Sequence, residues 1–242
     1  MKNFSRFTFL VLIGLYFLIS CAGNVQKHQD FNTIKTEITS IAIMPPSIEY
    51  FERNPVVIRP NPFYINDVSH NVVEAIQKSF ANSTIEVHPI FDSGTELDVN
   101  VSSNLRKVLQ SYKSSCESFH NNGEKDMRMV LDSEVKQFVS PAKTNFLLFI
   151  HGKGYGKLSG EDRNDVVYSG MLGTESQWDG LILDLALVDA SSGEMLWFNY
   201  NKEYQSQYQP LVLESVQELC DKLLNNLSKL GALEGEDSTE VK

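Results

Sequence analysis

The sequence is poor in basic residues and in cysteine. Its 242 residues contain 21 Lys and Arg against 31 Asp and Glu, which gives a formal net charge of −10 at pH 7. This acidic balance argues against nucleic acid as a partner and against electrostatic adhesion to anionic lipid. The three cysteines include no Cys-x-x-Cys pair. At 42% hydrophobic and 21% charged residues, however, the composition is that of an ordinary folded domain and not of a disordered chain.

Familiar catalytic motifs are also lacking. The sequence contains no Gly-x-Ser-x-Gly, no His-Glu-x-x-His and no Walker loop. The five histidines are scattered without the spacing of metal ligands: His28, His70, His88, His120 and His151. These absences predict a protein that is not an enzyme and that binds no metal.

Three weaker signals for chemistry have simpler interpretations. Cys116 and His120 are four residues apart on a predicted helix, which would place a thiol beside an imidazole. A buried cysteine and a helix-end histidine are the favoured interpretation. Asp184 is a charge inside an apolar strand and could be a perturbed carboxylate. A residue that lies on an open face of the sheet or bonds to a neighbouring strand is the favoured interpretation. The Gly-Lys-Gly-Tyr-Gly run at 152–156 faintly resembles a phosphate loop, but no helical pattern follows it, so strand-end glycines are favoured.

The amino terminus has the pattern of a secretory signal. Lys2 and Arg6 precede an apolar run over residues 7–17, which is shorter than the roughly 20 apolar residues of a membrane-spanning helix. Leu-Ile-Ser-Cys follows at 18–21. A large aliphatic residue three positions before a cysteine, with a small residue directly before it, resembles the lipobox of bacterial lipoproteins. That resemblance implies cleavage before Cys21, a diacylglycerol on its sulfur and acylation of its new amino group.

The same resemblance divides the chain and places it in the cell. Residues 1–20 are expected to be the signal peptide, and 21–38 the lipidated cysteine with a polar tether. Removing 1–20 deletes two basic residues and leaves a net charge of −12, so the acyl chains and not a basic patch hold the protein on the membrane. Ala22 follows the cysteine where inner-membrane lipoproteins often have aspartate, which implies the outer membrane with the domain facing the periplasm. The covalent lipid on Cys21 is the one cofactor expected, and a plain secretory signal with an incidental cysteine is the alternative.

The other two cysteines, Cys116 and Cys220, both lie on the apolar faces of predicted helices. An oxidising compartment would allow them to form a disulfide. Two buried free thiols are the competing interpretation. The sequence leaves both open, because it does not show whether their Cα atoms approach within bonding range.

Apolar patterns predict a single α/β (α+β) domain over residues 39–232 with an amphipathic C-terminal helix. That helix is the clearest element, since it begins near Pro210, carries an apolar stripe and ends near Gly231. Residues 233–242 are expected to be an acidic disordered tail. The expected strands are 40–44, 85–90, 145–150, 166–168, 181–188 and 194–198, the last two forming a hairpin, and the expected helices begin at about residues 66, 102, 126 and 210.

Residues 45–65 are rich in proline. Five of the eight prolines fall here: Pro45, Pro46, Pro55, Pro60 and Pro62. Because proline removes a backbone donor and fixes φ, the segment is predicted to be a long ordered loop and neither a helix nor a central strand. Stiffened apolar loops lose little entropy on binding, so its apolar side chains are candidates for docking a partner, with covering of the sheet edge or core as the alternative. The candidate docking residues are Tyr50, Phe51, Val57, Phe63 and Tyr64.

Three segments of the chain carry a further resemblance. They are Ile-Ala-Ile-Met-Pro-Pro at 41–46, Phe-Leu-Leu-Phe-Ile at 146–150, and the strand–turn–strand sequence at 185–197 with its Asp189, Gly193 and Trp197. In this order they resemble a group of envelope proteins that includes the curli-secretion lipoprotein, the TolB amino-terminal domain and the lipoprotein activators of penicillin-binding proteins. The resemblance implies a mixed sheet with packed helices, no catalytic site, and action by docking on a synthase, on an assembly machine or on copies of itself.

These features predict a non-enzymatic, membrane-anchored lipoprotein that docks on or helps assemble a cell-envelope machine through a protein partner. A second interpretation is a self-oligomerising component of a secretion pore or ring, in which case the chain forms homo-oligomers. A third is an envelope hydrolase with an unrecognised site that involves Cys116, His120 or Asp184.

Overall fold

Eight strands and five helices make up the parts of the chain that the computed structural model describes, namely residues 25–29, 31–53, 58–91, 95–122, 131, 133–157, 180–201 and 208–231. The strands are β1 Gln26–Lys27, β2 Ser40–Ile43, β3 Ser47–Arg53, β4 Ile58–Pro60, β5 Glu86–Pro89, β6 Phe146–Lys157, β7 Gly180–Asp189 and β8 Met195–Tyr200. The helices are α1 Phe31–Ile34, α2 Ile65–Ser79, α3 Val99–Asn122, α4 Val139–Ala142 and α5 Leu213–Ser228. Short 3-10 turns cover Lys35–Glu37, Pro62–Tyr64, Ser133–Phe138 and Lys229–Gly231.

All eight strands belong to one mixed sheet, as predicted. The strand order is β1-β8-β7-β6-β2-β5, and β3 pairs with β6 and with β4. The pairs β6–β7, β7–β8, β1–β8 and β3–β4 are antiparallel, whereas β2 and β3 run parallel to β6, and β5 runs parallel to β2. The 12-residue strand β6 pairs with β2 over its first half and with β3 over its second, because Pro45 and Pro46 separate these two strands.

The sheet separates two apolar cores. Successive side chains of a strand point to opposite faces, so Ile41 and Ile43 face one core while Ala42 and Met44 face the other. The first core lies beneath α2 and α5, and the second beneath α3 and α4. The C-terminal helix α5 is amphipathic, as expected, and buries Val216, Leu219, Cys220, Leu223, Leu224 and Leu227.

The predicted hairpin at 181–198 is confirmed. Strands β7 and β8 pair in antiparallel register, and the turn between them is closed by a hydrogen bond from Gly193 N to Asp189 O. Gly193 has φ of 80°, a conformation that glycine adopts without the steric penalty of a side chain. The strand predicted at 166–168 and the helix start predicted near 126 lie outside the described residues. The 3-10 turn Ser133–Phe138 and helix α4 follow that start, and Pro141 lies within the single turn of α4.

The prediction of a polar tether is wrong for residues 25–38. Strand β1 pairs with the edge of β8, and both Phe31 and Ile38 are buried in the core beneath α2 and α5. Burial of the side chains of Phe31 and Ile38 thus holds this otherwise polar segment against the domain. Residues 21–24 of the predicted tether lie outside the described residues.

The prediction of a long loop at 45–65 is also wrong, because the segment contains the antiparallel pair β3–β4. The seven residues of β3 contain no proline, so β3 can bond β6 on one side and β4 on the other. Pro60 ends the three-residue edge strand β4. Pro62 begins a 3-10 turn, where the side chain of Asn61 accepts a hydrogen bond from Phe63 N.

The glycines at 152–156 belong to strand β6 and not to a loop. Tyr50 lies flat across this strand: a Cβ at Gly154 would lie 2.9 Å from its ring, and one at Gly156 would meet its hydroxyl. At Gly152 a Cβ would lie 2.6 Å from the backbone oxygen of Ile182. The repeated glycines therefore make room for an aromatic ring and for the neighbouring strand.

Candidate functional site

A row of polar residues crosses the centre of the sheet beneath α3. Four strands contribute one residue each, since Ser47 pairs with His151, His151 with Asp184, and Asp184 with Tyr200. His151 and Asp184 are almost fully buried. Because buried charged groups are rare unless they have partners, this row is the first place to look for chemistry.

Helix α3 supplies the partners of Asp184. Nε2 of His120 lies 2.8 Å from Oδ1 of Asp184, and the Tyr112 hydroxyl donates to the Asp184 backbone oxygen at 3.0 Å. The side chain of His120 is 38% exposed, whereas that of Asp184 is only 6% exposed. The rings of Phe119 and Tyr200 lie 5.8 Å and 4.9 Å from the His120 ring. The pair therefore connects the last turns of α3 to the middle of the sheet.

Cys116 lies next to this pair but is not suited to act as a nucleophile. Burial raises the pKa of its thiol, and the nearby charge of Asp184 raises it further. Burial likewise raises the pKa of Tyr112 well above its usual range. Since the thiolate is the reactive form of cysteine, the thiol, the imidazole and the carboxylate do not form an activated triad. Within the described residues, the hydrogen bonds of His120 and Tyr112 to Asp184 connect helix α3 to the sheet.

We call the polar residues between α3 and the sheet the polar layer. His151 and Glu49 also belong to it. Nδ1 of His151 lies 3.0 Å from the Ser47 carbonyl oxygen, and burial lowers the pKa of this imidazole. Lys113 of α3 forms a short ion pair with Glu49 of β3, and the hydrogen bond from Lys113 lowers the pKa of the Glu49 carboxyl. Both groups are thus engaged by neighbours within the layer. Among the residues with assigned positions, no group of three or more His, Cys, Asp or Glu side chains could hold a metal ion.

Beyond α3, the same face of the sheet carries a half-exposed patch. The rings of Phe51 and Tyr155 stack with their centroids 5.7 Å apart and an interplanar angle of 23°. Lys153 and Ile182 pair across β6 and β7 and are also half-buried. We call these four residues the aromatic face; they lie on the side of the sheet that α3 covers elsewhere.

The predicted docking residues divide between different places. Tyr50 is buried beneath the α2 side of the sheet, and Phe51 lies on the aromatic face opposite. Phe63 is 79% exposed and packs edge-on against the half-buried Tyr64. Val57 lies outside the described residues. The candidate docking residues that the structure describes therefore do not form one surface, because they are divided between the two faces of the sheet at β3.

Of the two interpretations that the sequence leaves open for Cys116 and Cys220, the structure has the second, because both are buried free thiols and the possible disulfide is not formed. Cys116 belongs to the core beneath α3, whereas Cys220 belongs to the core beneath α2 and α5 on the other side of the sheet. A β-sheet separates the two sulfurs, so no disulfide can join them. Cys21 lies outside the described residues.

Two features of the site were not predicted from the sequence. The contact between His120 and Asp184 joins residues 64 positions apart, although the isolated charge in an apolar strand had marked Asp184. Exposed apolar residues also occur outside the proline-rich segment, at Leu211 and Val212. No helix among the residues covered by the description is long and apolar enough to cross a membrane.

Comparison with known proteins gives no family. No protein-family model matches the sequence, and no curated protein matches it. The fold has a weak likeness to a PelC dodecamer from Paraburkholderia phytofirmans in space group C2, with a TM-score of 0.37 at 10% identity over 87% of this chain and 99% of that chain. A PelC dodecamer from the same organism in space group P6 gives a TM-score of 0.35 at 7% identity over 76% and 88% of the two chains. These likenesses are too weak to define a shared architecture, assembly or function.

Proposed function

We propose that the protein is a non-enzymatic lipoprotein, anchored in the outer membrane through Cys21, whose periplasmic domain docks on another envelope protein and helps assemble an envelope machine. The lipobox-like segment and the resemblance to the envelope lipoprotein group support the anchor and the location. The aromatic face carries the docking part of the proposal.

A docking role suits the aromatic face for a physical reason. Phe51 and Tyr155 stand on β3 and β6, paired strands within the sheet, so their rings are already held in place before a partner arrives. Binding then orders few side chains, which keeps the entropic cost low. Aromatic side chains also contribute strongly to interfaces, because each removes a large apolar area from water.

The polar layer supports a non-enzymatic role over the hydrolase alternative. The one thiol in the cluster is buried and has a raised pKa, so it is held protonated. The imidazole of His120 and the carboxylate of Asp184 are engaged with each other, and Tyr112 bonds to the backbone. In this arrangement the polar groups hold α3 on the sheet.

Photo-crosslinking in living cells tests the docking proposal. A photoreactive amino acid is placed at Phe51, and a matched control is placed at Glu86, an exposed residue of the edge strand β5. We expect adducts of a discrete envelope protein from position 51 and none from position 86. Adducts only with copies of this chain would instead favour the ring component, and equal labelling from both positions would contradict docking through this face.

The anchor has its own test. Radiolabelled palmitate is supplied to cells that produce either the natural chain or the Cys21→Ala variant. We expect the natural chain to incorporate label and the variant to incorporate none. Continued labelling of the variant would overturn acylation at Cys21, because the remaining cysteines are buried within the folded domain.

A further inference from the structure

Four of the five large apolar side chains that are exposed among the described residues lie at one end of the molecule, and the fifth, Val99, begins helix α3. Ile58 is 62% exposed, Phe63 79%, Leu211 42% and Val212 39%. We call these four residues the apolar end. Large exposed apolar groups that cluster, and are not scattered singly, mark an interaction surface.

These residues are placed together by contacts with Tyr50 of β3 and with the two strands that pair with β3, namely β4 and β6. Ile58 pairs with Arg53, the last residue of β3. The ring of Tyr64, next to Phe63, lies 5.3 Å from the ring of Tyr50. Before Leu211, Pro210 packs over β6, since a Cβ on Gly154 would lie 3.4 Å from the Pro210 Cβ and 2.9 Å from the Tyr50 ring. All these positions adjoin the end of the sheet where β3 and β6 finish.

From Lys27 back to Val25, the described amino-terminal segment runs toward that same end. Strand β1 is antiparallel to β8, with Lys27 opposite Trp197 and Gln26 opposite Phe198. Backward from Lys27, the chain therefore runs toward Tyr200. Tyr200 is in register with Asp184 and, through it, with His151. From that level β6 continues for six more residues to the apolar end.

The distance available to a lipid anchor is short. Only three residues separate Cys21 from Val25, the first residue that the structure describes. Four Cα-to-Cα steps span at most about 14 Å. An acylated Cys21 would therefore keep Val25 within about 14 Å of the residue that bears the lipid.

We propose that the apolar end is a lipid-contacting surface on which the domain stands, with its strands steeply inclined to the membrane plane. The proposal rests on the lipidation of Cys21 proposed above. Ile58, Phe63, Leu211 and Val212 enter the interfacial region of the bilayer, where exposed aliphatic and aromatic side chains are stabilised by removal from water. The turn at Ser191–Gly193, at the other end of β7, points away from the membrane.

The apolar nature of the contact agrees with the charge of the chain. After removal of residues 1–20 the net charge is −12, which disfavours attraction of the domain as a whole to anionic headgroups. A lipid anchor on Cys21 and apolar side chains at the apolar end act together instead. Anchoring by two signals is stronger than by either alone.

Fluorescence quenching in vesicles tests this orientation. The full acylated protein is reconstituted into vesicles of phosphatidylethanolamine and phosphatidylglycerol that contain a lipid with a nitroxide near the headgroup end of its acyl chain. A bimane label is attached to a cysteine introduced at Phe63→Cys, with Val99→Cys and Ser191→Cys as controls. Val99 is 81% exposed and matches Phe63 in apolar exposure, and Cys116 and Cys220 are buried and remain unlabelled.

We expect at least several-fold stronger quenching at position 63 than at positions 99 and 191. Mass spectrometry of the same preparation first establishes the acyl chains on Cys21. A protein without acyl chains would overturn the proposed anchor and this inference with it. An acylated protein with equal quenching at all three positions would overturn this inference alone, because the domain would then move freely on its lipid.

A second measurement separates contact from tethering. The label is placed at Ile58→Cys while Phe63 and Leu211, which are both exposed, are changed to Ser. We expect quenching at position 58 to fall toward the level of position 191. Undiminished quenching would show that the short tether orients the domain without apolar contact, and would contradict the proposed lipid surface.

Discussion

Nε2 of His120 lies 2.8 Å from Oδ1 of Asp184, and this contact joins the last turns of α3 to the middle strand of the sheet. The carboxylate is almost completely buried, so it depends on the imidazole for its stability in the folded protein. Tyr112 makes a second connection between the same helix and the same residue of β7. The geometry favours a structural role for residues that the sequence had marked as candidates for catalysis.

We expect Asp184→Ala to destabilise the domain. The substitution removes the partner of His120 and leaves a gap in the polar layer, and the loss of such a buried hydrogen bond costs about 1–3 kcal/mol in the free energy of unfolding. Urea denaturation measures it. Glu194→Ala, at an exposed residue of the following turn, is the matched control and should change stability little. Unchanged stability of the Asp184 variant would contradict the structural role.

We expect His151 to make the domain less stable as the pH falls below about 6.5. Burial lowers the pKa of His151 in the folded protein, so the unfolded chain binds its proton first. Stability from this group is therefore fully present above the unfolded pKa and is lost as the pH falls toward the folded one. Asp184, Glu49, Lys113 and the Ser47 carbonyl are the groups that act on it.

The measurement is the free energy of unfolding at several pH values between about 7.5 and about 5.5, for the natural chain and for His151→Gln. The variant should show a flatter dependence on pH over this window. Glu49 acts in a lower window, because its pKa is lowered by Lys113 and its contribution is lost only as the pH falls below about 4.5. Parallel pH profiles for the two proteins would exclude His151 as the cause.

Local patterns predicted much of this fold, and the errors have a common cause. The hairpin β7–β8 was predictable because its strands are neighbours in sequence and its turn has a glycine at the position with φ of 80°. Strand β3 was missed because its main partner, β6, lies about 100 residues later. The many prolines of residues 45–65 argued against a strand in this segment, although residues 47–53, which pair with β6, contain none.

The candidate site shows the same limit. The sequence showed Asp184 as an isolated charge in an apolar strand. It did not show that His120, on the distant helix α3, is the partner of this carboxylate. Cys116 and His120 do share a helix, as predicted. Their spacing nevertheless said nothing about burial, which holds the Cys116 thiol protonated. Cys116 and Cys220 lie on opposite sides of the sheet. Long-range strand pairing decides which side of the sheet a helix covers, and helical periodicity does not show it.

The glycines of β6 give a prediction about side-chain volume. Gly156→Ala should destabilise the domain by about 1–3 kcal/mol, because the new methyl group would meet the hydroxyl of Tyr50. Tyr50→Phe removes that hydroxyl. A double-mutant cycle by urea denaturation should therefore show the alanine substitution costing less when Tyr50→Phe is already present.

Gly152→Ala is the matched control for this cycle. Its methyl group would lie 2.6 Å from the backbone oxygen of Ile182 and 2.8 Å from a Leu183 side-chain carbon, and a backbone atom cannot move aside easily. We expect a loss at least as large as at position 156, with no relief from Tyr50→Phe. Equal relief at both positions would show that Tyr50 is not the specific neighbour of Gly156.

The packing of the amino-terminal segment is tested at Phe31. Phe31→Ala should lower the free energy of unfolding by about 3–5 kcal/mol, since it empties a buried site. The variant should also be cleaved faster by proteases within residues 25–38. Asn32→Ala, an exposed neighbour on the same helix, should have little effect. Unchanged stability of the Phe31 variant, together with equally rapid cleavage of this segment in the natural chain and the variant, would restore the interpretation of the segment as a free tether.

The two cysteines of the domain give the simplest test of the sheet topology. Both thiols are buried, and burial raises the pKa of each, so neither should react with a maleimide in the native protein near neutral pH. After unfolding in guanidinium without reductant, both Cys116 and Cys220 should react, and mass spectrometry of the peptides should find one label on each. A disulfide would leave both unlabelled after unfolding, and it would require the two cysteines to lie on one side of the sheet. Reaction of one thiol in the native state would show that its core opens locally, while two labels only after unfolding would place each cysteine in a closed core.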